Sequence, residues 1–316
     1  MQNSLISRFV TLVCATLLAM VIPRPALGLV LVVQSSAAEV YQQAVSGFTQ
    51  AFTPGVSLPG ISSIEKVEIV VLDPASSDTI QLTTQKHQSL QPKIIVAVGS
   101  LALKSVASFS GPVLFLMVPD PDAIVPKHSD LSGVLMTAGP AQQLAAIKEI
   151  FPGSARIGLL HNPATSEDFL KLLQQAAASA GLTLVSIPAA SDREAIRSVT
   201  ELQGLMDVLL LTPETSLVSP ALLEALTLLS LEKKLPLVAF APKYLMQGAA
   251  LVVFSLPEAM GRQAGVMVRE RLSRPFSKTI SREYATEIIL LTNPRIIQKM
   301  GISVVPSTIN KGKLLP

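Results

Sequence analysis

Residues 94–100 read IIVAVGS: five apolar positions, mostly β-branched, end at Gly99-Ser100 and pass directly into LALKSVASF, which has helical spacing. A short, fully apolar run bounded by small residues predicts a strand buried on both faces. Where such a strand meets a helix start, backbone N–H groups face a crevice and offer a place for an anionic or hydrogen-bonding group. The same pair equally suits a tight turn in which any larger side chain would clash. The residues leave both readings open.

Working outward, the runs LVLVVQ (29–34), VEIVVL (67–72) and VLFLMV (113–118) have the same strand character, with helical stretches at 37–52 and 76–91 between them. Near-continuous apolar strands alternating with helices predict a parallel α/β sheet covered on both faces. The rhythm pauses at PDPDAIVPKHSDLSG (119–133), where prolines and aspartates cluster without periodicity, and a crossing strand GVLMT is expected next. It then restarts with strands at 156–160, 182–187, 207–211 and 236–240 and helices at 140–151, 166–180, 191–203 and 218–233. The second half repeats the scheme of the first: strand, polar turn, helix, proline, strand. We therefore expect two Rossmann-like, doubly wound lobes joined by crossing strands. The first would hold 29–125 and 256–285, the second 126–255 and 286–316, with hinges near 119–133, 241–257 and 274–286. Ligands of open α/β sheets bind at the carboxyl ends of strands, and two such ends facing each other make a cleft.

The N-terminus predicts export. Arg8 precedes the apolar run FVTLVCATLLAMVI (9–22), and Ala26 with Gly28 supplies a small-x-small cleavage pattern, so residues 1–28 are read as a signal peptide. The run is shorter than the roughly 20 apolar residues of a bilayer span. The single cysteine, Cys14, lies inside it and follows Thr11-Leu12-Val13, which is not a lipoprotein cleavage site. A mature chain from Leu29 would hold no cysteine, so its stability must come from core burial. Loss of Arg8 and Arg24 lowers the formal charge from +3 to +1, a balance that gives no reason to expect nucleic acid.

Enzyme constellations are missing. The chain has no G-x-S-x-G elbow, no G-x-x-x-x-G-K, no G-x-G-x-x-G and no H-E-x-x-H. Of the histidines, His87 lies in a polar helix, His128 in the linker, and His161 directly after a strand, at a plausible cleft position. Asp120, Asp122 and Asp130 carry oxygen ligands suited to calcium but lack the spacing of an EF-hand loop. No catalytic residue, metal or cofactor is expected.

Taken in order, IIVAVGSLALKSV, VPDPDA, RIGLLHNP, DVLLLTPET, MGRQAG and TNPRIIQKMGI resemble the ABC transporter substrate-binding proteins of the tryptophan/tyrosine-binding type. The resemblance runs over nearly the whole mature chain and is clearest from about Gly133 to Gly301. It implies a type I periplasmic-binding-protein fold that closes over a small ligand. It also implies a carboxylate-holding loop at Gly99-Ser100-Leu101, a further contact at Asp120, and in the second lobe Glu214 with Thr215 and Ser216 where the family places an aspartate. The chain departs from the family at Phe240-Ala241-Pro242, where a serine and acidic residues are usual, and at Thr165, where an acidic residue is frequent. Tryptophan or tyrosine is therefore not carried over as the ligand.

The expected ligand contacts are Gln34, Ser35, Gly99, Ser100, Leu101, Asp120, His161, Asn162, Glu214, Thr215 and Tyr244. Ser35 and Ser100 also suit helix caps, Tyr244 also suits the core, and Arg262 is expected to hold its helix to the lobe. The implied function is a monomeric periplasmic receptor that passes a small polar, amino-acid-like ligand to an inner-membrane ABC permease with its cytoplasmic ATPase. The alternative is a ligand-sensing periplasmic subunit of a signalling receptor. A secreted hydrolase is disfavoured by the missing motifs, and a repressor by the signal peptide standing where a helix-turn-helix would be.

Overall fold

The computed structural model describes residues 28–52, 64–125, 130–213, 217, 219–273, 281–302 and 313–315. The expected signal peptide lies outside them except for Gly28, as do His128, Glu214, Thr215 and Ser216. Among the described residues no helix is long and apolar enough to cross a membrane.

The chain begins with β1 (Gly28–Gln34), α1 (Glu39–Ala51), β2 (Ile64–Val71), α2 (Thr79–Leu90), β3 (Ile94–Val98) and α3 (Ser100–Ser105). Next come β4 (Val113–Leu116), α4 (Pro121–Ile124) and β5 (Leu131–Ala138). A second series follows: α5 (Pro140–Ile150), β6 (Arg156–His161), α6 (Glu167–Ser179), β7 (Thr183–Pro188), α7 (Asp192–Leu202), β8 (Val208–Leu211) and α8 (Pro220–Lys233). It continues through β9 (Leu237–Ala239), α9 (Lys243–Met246) and β10 (Leu251–Phe254). The chain then returns through α10 (Pro257–Ser273) and β11 (Arg282–Ala285) and leaves again through β12 (Ile288–Thr292), α11 (Pro294–Met300) and β13 (Lys313–Leu315).

These strands form two sheets. The first is parallel throughout, in the order β2-β1-β3-β4-β5-β11. The second runs β7-β6-β8-β9-β10 in parallel and is extended by β12 and β13 as antiparallel strands. Both follow the doubly wound order in which the chain starts one strand in from an edge, winds outward, then reverses direction. The expected α/β architecture of two Rossmann-like lobes is thus observed.

Alternation within the buried strands explains the double cover. Val30 and Val32 of β1, with Ile94, Val96 and Val98 of β3, pack toward Phe48 of α1, Phe52 just after it, and Met260, Ala264 and Val268 of α10. Leu31, Val33, Ile95 and Ala97 pack on the opposite side, toward Ala102, Leu103 and Val106. Successive side chains of a strand point to opposite faces, so a run apolar at every position builds two cores. The second sheet does the same, with Ile157 and Leu159 on one side and Leu160 on the other.

The Pro/Asp-rich stretch 119–133 was expected to end the first lobe, and it does not. β5, assigned to the second lobe from 126 onward, pairs with β4 and β11 in the first sheet. Parallel neighbours require the chain to return to the opposite sheet edge, and the segment after β4 makes that return. Its carboxylates serve the route separately. Asp120 Oδ1 accepts from the Ala123 N–H at 3.1 Å and caps α4, Asp122 pairs with Arg282 at 2.6 Å, and Asp130 pairs with Arg271 at 2.5 Å.

Candidate functional site

The first sheet is left for the second at Gly139, between β5 and α5; the chain re-enters it at Ser255-Leu256, between β10 and α10, and leaves again at Thr286-Glu287, between β11 and β12. Two crossings depart from carboxyl ends in the first sheet and one from a carboxyl end in the second. β12 is antiparallel to β10, so its start lies at the carboxyl edge of the second sheet. Connections of one or two residues span only a few ångströms each, and the carboxyl edges of the two sheets are therefore held next to each other. That junction is the candidate site. The first crossing falls at Gly139, beyond the hinge expected at 119–133.

In the first lobe the winding reverses between β1 and β3, where Ser35 and Gly99 meet. Gly99 has φ +91°, and a Cβ there would stand 2.5 Å from Ser35 Oγ and 2.8 Å from Tyr41 Cζ. Both the backbone conformation and the space demand glycine, so the tight-turn reading of IIVAVGS holds at Gly99. The caps are distributed differently from expectation. Gly99 is the N-cap of α3, and Ser35, in the turn after β1, accepts the Ala102 N–H at 2.9 Å. Ser100 is exposed and caps nothing, because it is the first residue inside the helix. The Leu103 N–H goes to the Gly99 carbonyl, so the Ala102 and Leu103 donors are satisfied, while those of Ser100 and Leu101 are left without an intrahelical partner at the carboxyl end of β3. Gln34 is 3 % exposed and its Nε2 donates to the Ser36 carbonyl at 2.5 Å, which commits the amide nitrogen to its own turn.

Tyr41 is the residue at this turn that sequence reasoning missed. It lies in the first turn of α1, half-buried, with its ring over Gly99. Helical side chains lean toward the N-terminus of their helix, so an aromatic residue in the first turn after a buried strand covers the strand's carboxyl end. That position was the available signal.

In the second lobe the reversal falls between β6 and β8. His161, the last residue of β6, is 3 % exposed and its Nε2 lies 2.8 Å from Ser186 Oγ of β7. The ring thus lies against the neighbouring strand β7 in this structure. Asn162 organises the following turn: its Oδ1 accepts the Ala164 N–H at 3.0 Å and its carbonyl accepts from Thr165 and Ser166 at 3.1 Å each. Thr212 closes β8 with 7 % exposure. Tyr244 takes the core position that the sequence also allowed. It is 4 % exposed and packs among Leu237, Ala239 and Val252, with its ring 4.8 Å from that of Phe240 and Lys243 Nζ 5.0 Å above it. The apolar turn Phe240-Ala241 provides the surroundings that draw it into the core. Asp120, spent on capping α4, keeps only part of its acceptor capacity for a ligand. Arg262 reaches Glu287 at 3.1 Å and Glu258 at 3.4 Å, tying α10 to the third crossing.

Two doubly wound lobes joined at their carboxyl edges by short crossings have the type I fold of two-domain binding proteins. The particular family is that of the ABC transporter substrate binding proteins: its model matches residues 37–311, and the chain belongs to it. Solved structures agree on the fold. A ligand-free, open substrate binding protein with adhesive properties from Clostridium difficile aligns with a TM-score of 0.63 at 19% identity, covering 90% of this chain and 97% of its own. The ABC domain from Streptococcus pneumonia in complex with L-Trp aligns with a TM-score of 0.54 at 17% identity, covering 89% and 97%. A conserved domain protein from Vibrio cholerae gives a TM-score of 0.54 at 18% identity over 89% and 97%. No curated protein matches the chain.

Proposed function

We propose that this protein is the solute-binding component of an ABC importer, exported to the periplasm by residues 1–28, and that it binds one small polar ligand between its lobes. The observation that carries this reading is the abutment of the two carboxyl edges through the crossings at Gly139, Ser255-Leu256 and Thr286-Glu287. A ligand seated there touches both lobes, and its binding energy favours the form in which they are closer together. The first lobe offers the Ser100 hydroxyl, the Ser100 and Leu101 N–H groups and the Tyr41 ring; the second offers the turns at Asn162 and Thr212 and, beyond the described residues, Glu214 and Thr215. Donors on one side and a carboxylate on the other suit a ligand with an acceptor end and a cationic or donor end, an amino-acid-like molecule. The loaded protein would deliver it to a membrane permease driven by a cytoplasmic ATPase.

A thermal-shift screen of amino acids, nucleosides and small organic acids tests the reading. A ligand present at about 100 times its Kd adds about 2.7 kcal/mol to stability, a shift of several degrees. A hit that also compacts the protein in solution scattering supports the assignment. A hit that leaves the scattering unchanged, or no hit in the whole set, counts against it.

A further inference from the structure

We infer that Gln142 and Gln263 form a latch on the third crossing and set the balance between lobe arrangements without touching ligand; this rests on the two-lobed binding reading above. The peptide of Thr286 sits between β11 and β12, where the chain passes from one sheet to the other. Its N–H donates to Gln263 Oε1 at 3.1 Å, and its carbonyl accepts from Gln142 Nε2, also at 3.1 Å. Gln263 belongs to α10, which packs on the first sheet, and Gln142 to α5, which packs on the second. One crossing residue is thus gripped from both lobes at once.

The other ends of the two amides are also committed. Gln142 Oε1 accepts the Gly139 N–H of the first crossing at 2.8 Å, and Gln263 Nε2 donates to the Tyr284 carbonyl at 3.1 Å and to Glu283 at 3.2 Å. The neighbouring residue, Glu287, is held to α10 by Arg262. Two of the three crossings are therefore linked by a continuous chain of hydrogen bonds, Gly139 to Gln142 to Thr286 to Gln263. A rotation of one lobe about the third crossing changes the torsions that flank Thr286, and the two glutamines, fixed to different lobes, cannot both follow. One grip must release. Each bond is partly solvated, so its net worth is that of an ordinary hydrogen bond and its loss moves an equilibrium about two- to tenfold. Such a device tunes a population without preventing motion, and a ligand selecting the other arrangement has its apparent affinity reduced by the same factor.

The test needs no ligand. The full chain carrying Cys14→Ser is spin-labelled at cysteines introduced for Gln50 and Gln174, exposed positions on α1 and α6, and the distance distribution between the lobes is measured. Gln142→Glu keeps the acceptor for Gly139 and removes the donor to Thr286. Gln263→Met removes the acceptor for the Thr286 N–H. We expect Gln142→Glu and Gln263→Met each to lower the ratio of the distance found in this structure to the alternative distance by about two- to tenfold, with melting temperatures little changed. Distributions unchanged in both variants, with a parent that shows two populations, overturn the latch alone. A parent with one distance in every variant overturns the latch together with the reading that the lobes move.

Discussion

Ser35 and Ser100 look alike in the sequence, each a serine after a buried strand, and the structure separates their work. Ser35 supplies the acceptor for the first turn of α3, so Ser35→Ala should cost about 1 kcal/mol of stability, the size of a lost helix cap. Ser100 is exposed at the first helical position. Ser100→Ala should leave the melting temperature nearly unchanged and weaken binding of any hit from the thermal-shift screen by about 1 kcal/mol, the net worth of a hydrogen bond. Calorimetry and chemical denaturation on the same two variants decide the division. Equal stability losses would show that the cap is shared. His87 gives a further residue-scale expectation. It is 6 % exposed, its Nε2 makes no hydrogen bond, and its ring stands edge-on to Phe109 at 5.5 Å. Burial lowers its pKa. A histidine that stays neutral when folded but protonates when unfolded makes stability fall as pH drops through the unfolded value of about 6.5. Melting temperatures measured from about pH 7.5 to about pH 5.5 should decline less in His87→Leu than in the parent, and parallel declines would refute the assignment.

At the scale of elements, α1 and α10 approach each other through glycines. A Cβ on Gly261 would lie 2.0 Å from the Ala44 carbonyl oxygen, and one on Gly47 would lie 2.0 Å from that of Glu258. Neither clash can be relieved by a side-chain rotation, because backbone atoms form both sides. Gly261→Ala should therefore destabilise the protein by about 1–3 kcal/mol through overpacking, despite the better helix propensity of alanine, and urea unfolding measures it directly. An unchanged midpoint would mean that the helices can separate without loss. The close crossing also matters for the site. α1 carries Tyr41 over Gly99 and α10 carries Arg262 and Gln263 to the third crossing, so the helix that covers the Gly99 turn and the helix that grips the third crossing form one closely packed pair.

For the whole molecule, the crossings at Gly139, Ser255-Leu256 and Thr286-Glu287 are short and lie together, a geometry that permits hinge rotation and opposes sliding. Export should remove residues 1–28, leaving a chain that begins at Leu29. Mass spectrometry of periplasmic protein checks it, and a species retaining residues 9–22 would refute the cleavage.

The alternation of apolar runs with helical ones, from LVLVVQ to PLVAF, was enough by itself to determine the α/β class and the two lobes, because a strand apolar at every position can be satisfied only by cover on both faces. The same periodicity located the carboxyl ends of the strands and hence the turns at Ser35, Gly99, Asn162 and Thr212. Local pattern did not reveal where each side chain of those turns points. His161 meets Ser186, 25 positions away on the neighbouring strand, a pairing that no local pattern announces, whereas the core position of Tyr244 beside Phe240 was open to reading from the apolar turn Phe240-Ala241. The cap of α3 by Ser35 and the grip of Gln142 and Gln263 on Thr286 join residues 67, 144 and 23 positions apart. Contacts of that kind leave no period in a sequence, and the assignment of β5 to the first sheet is of the same nature: proline and aspartate mark a break in periodicity, but only strand pairing decides on which side of the break the lobe ends.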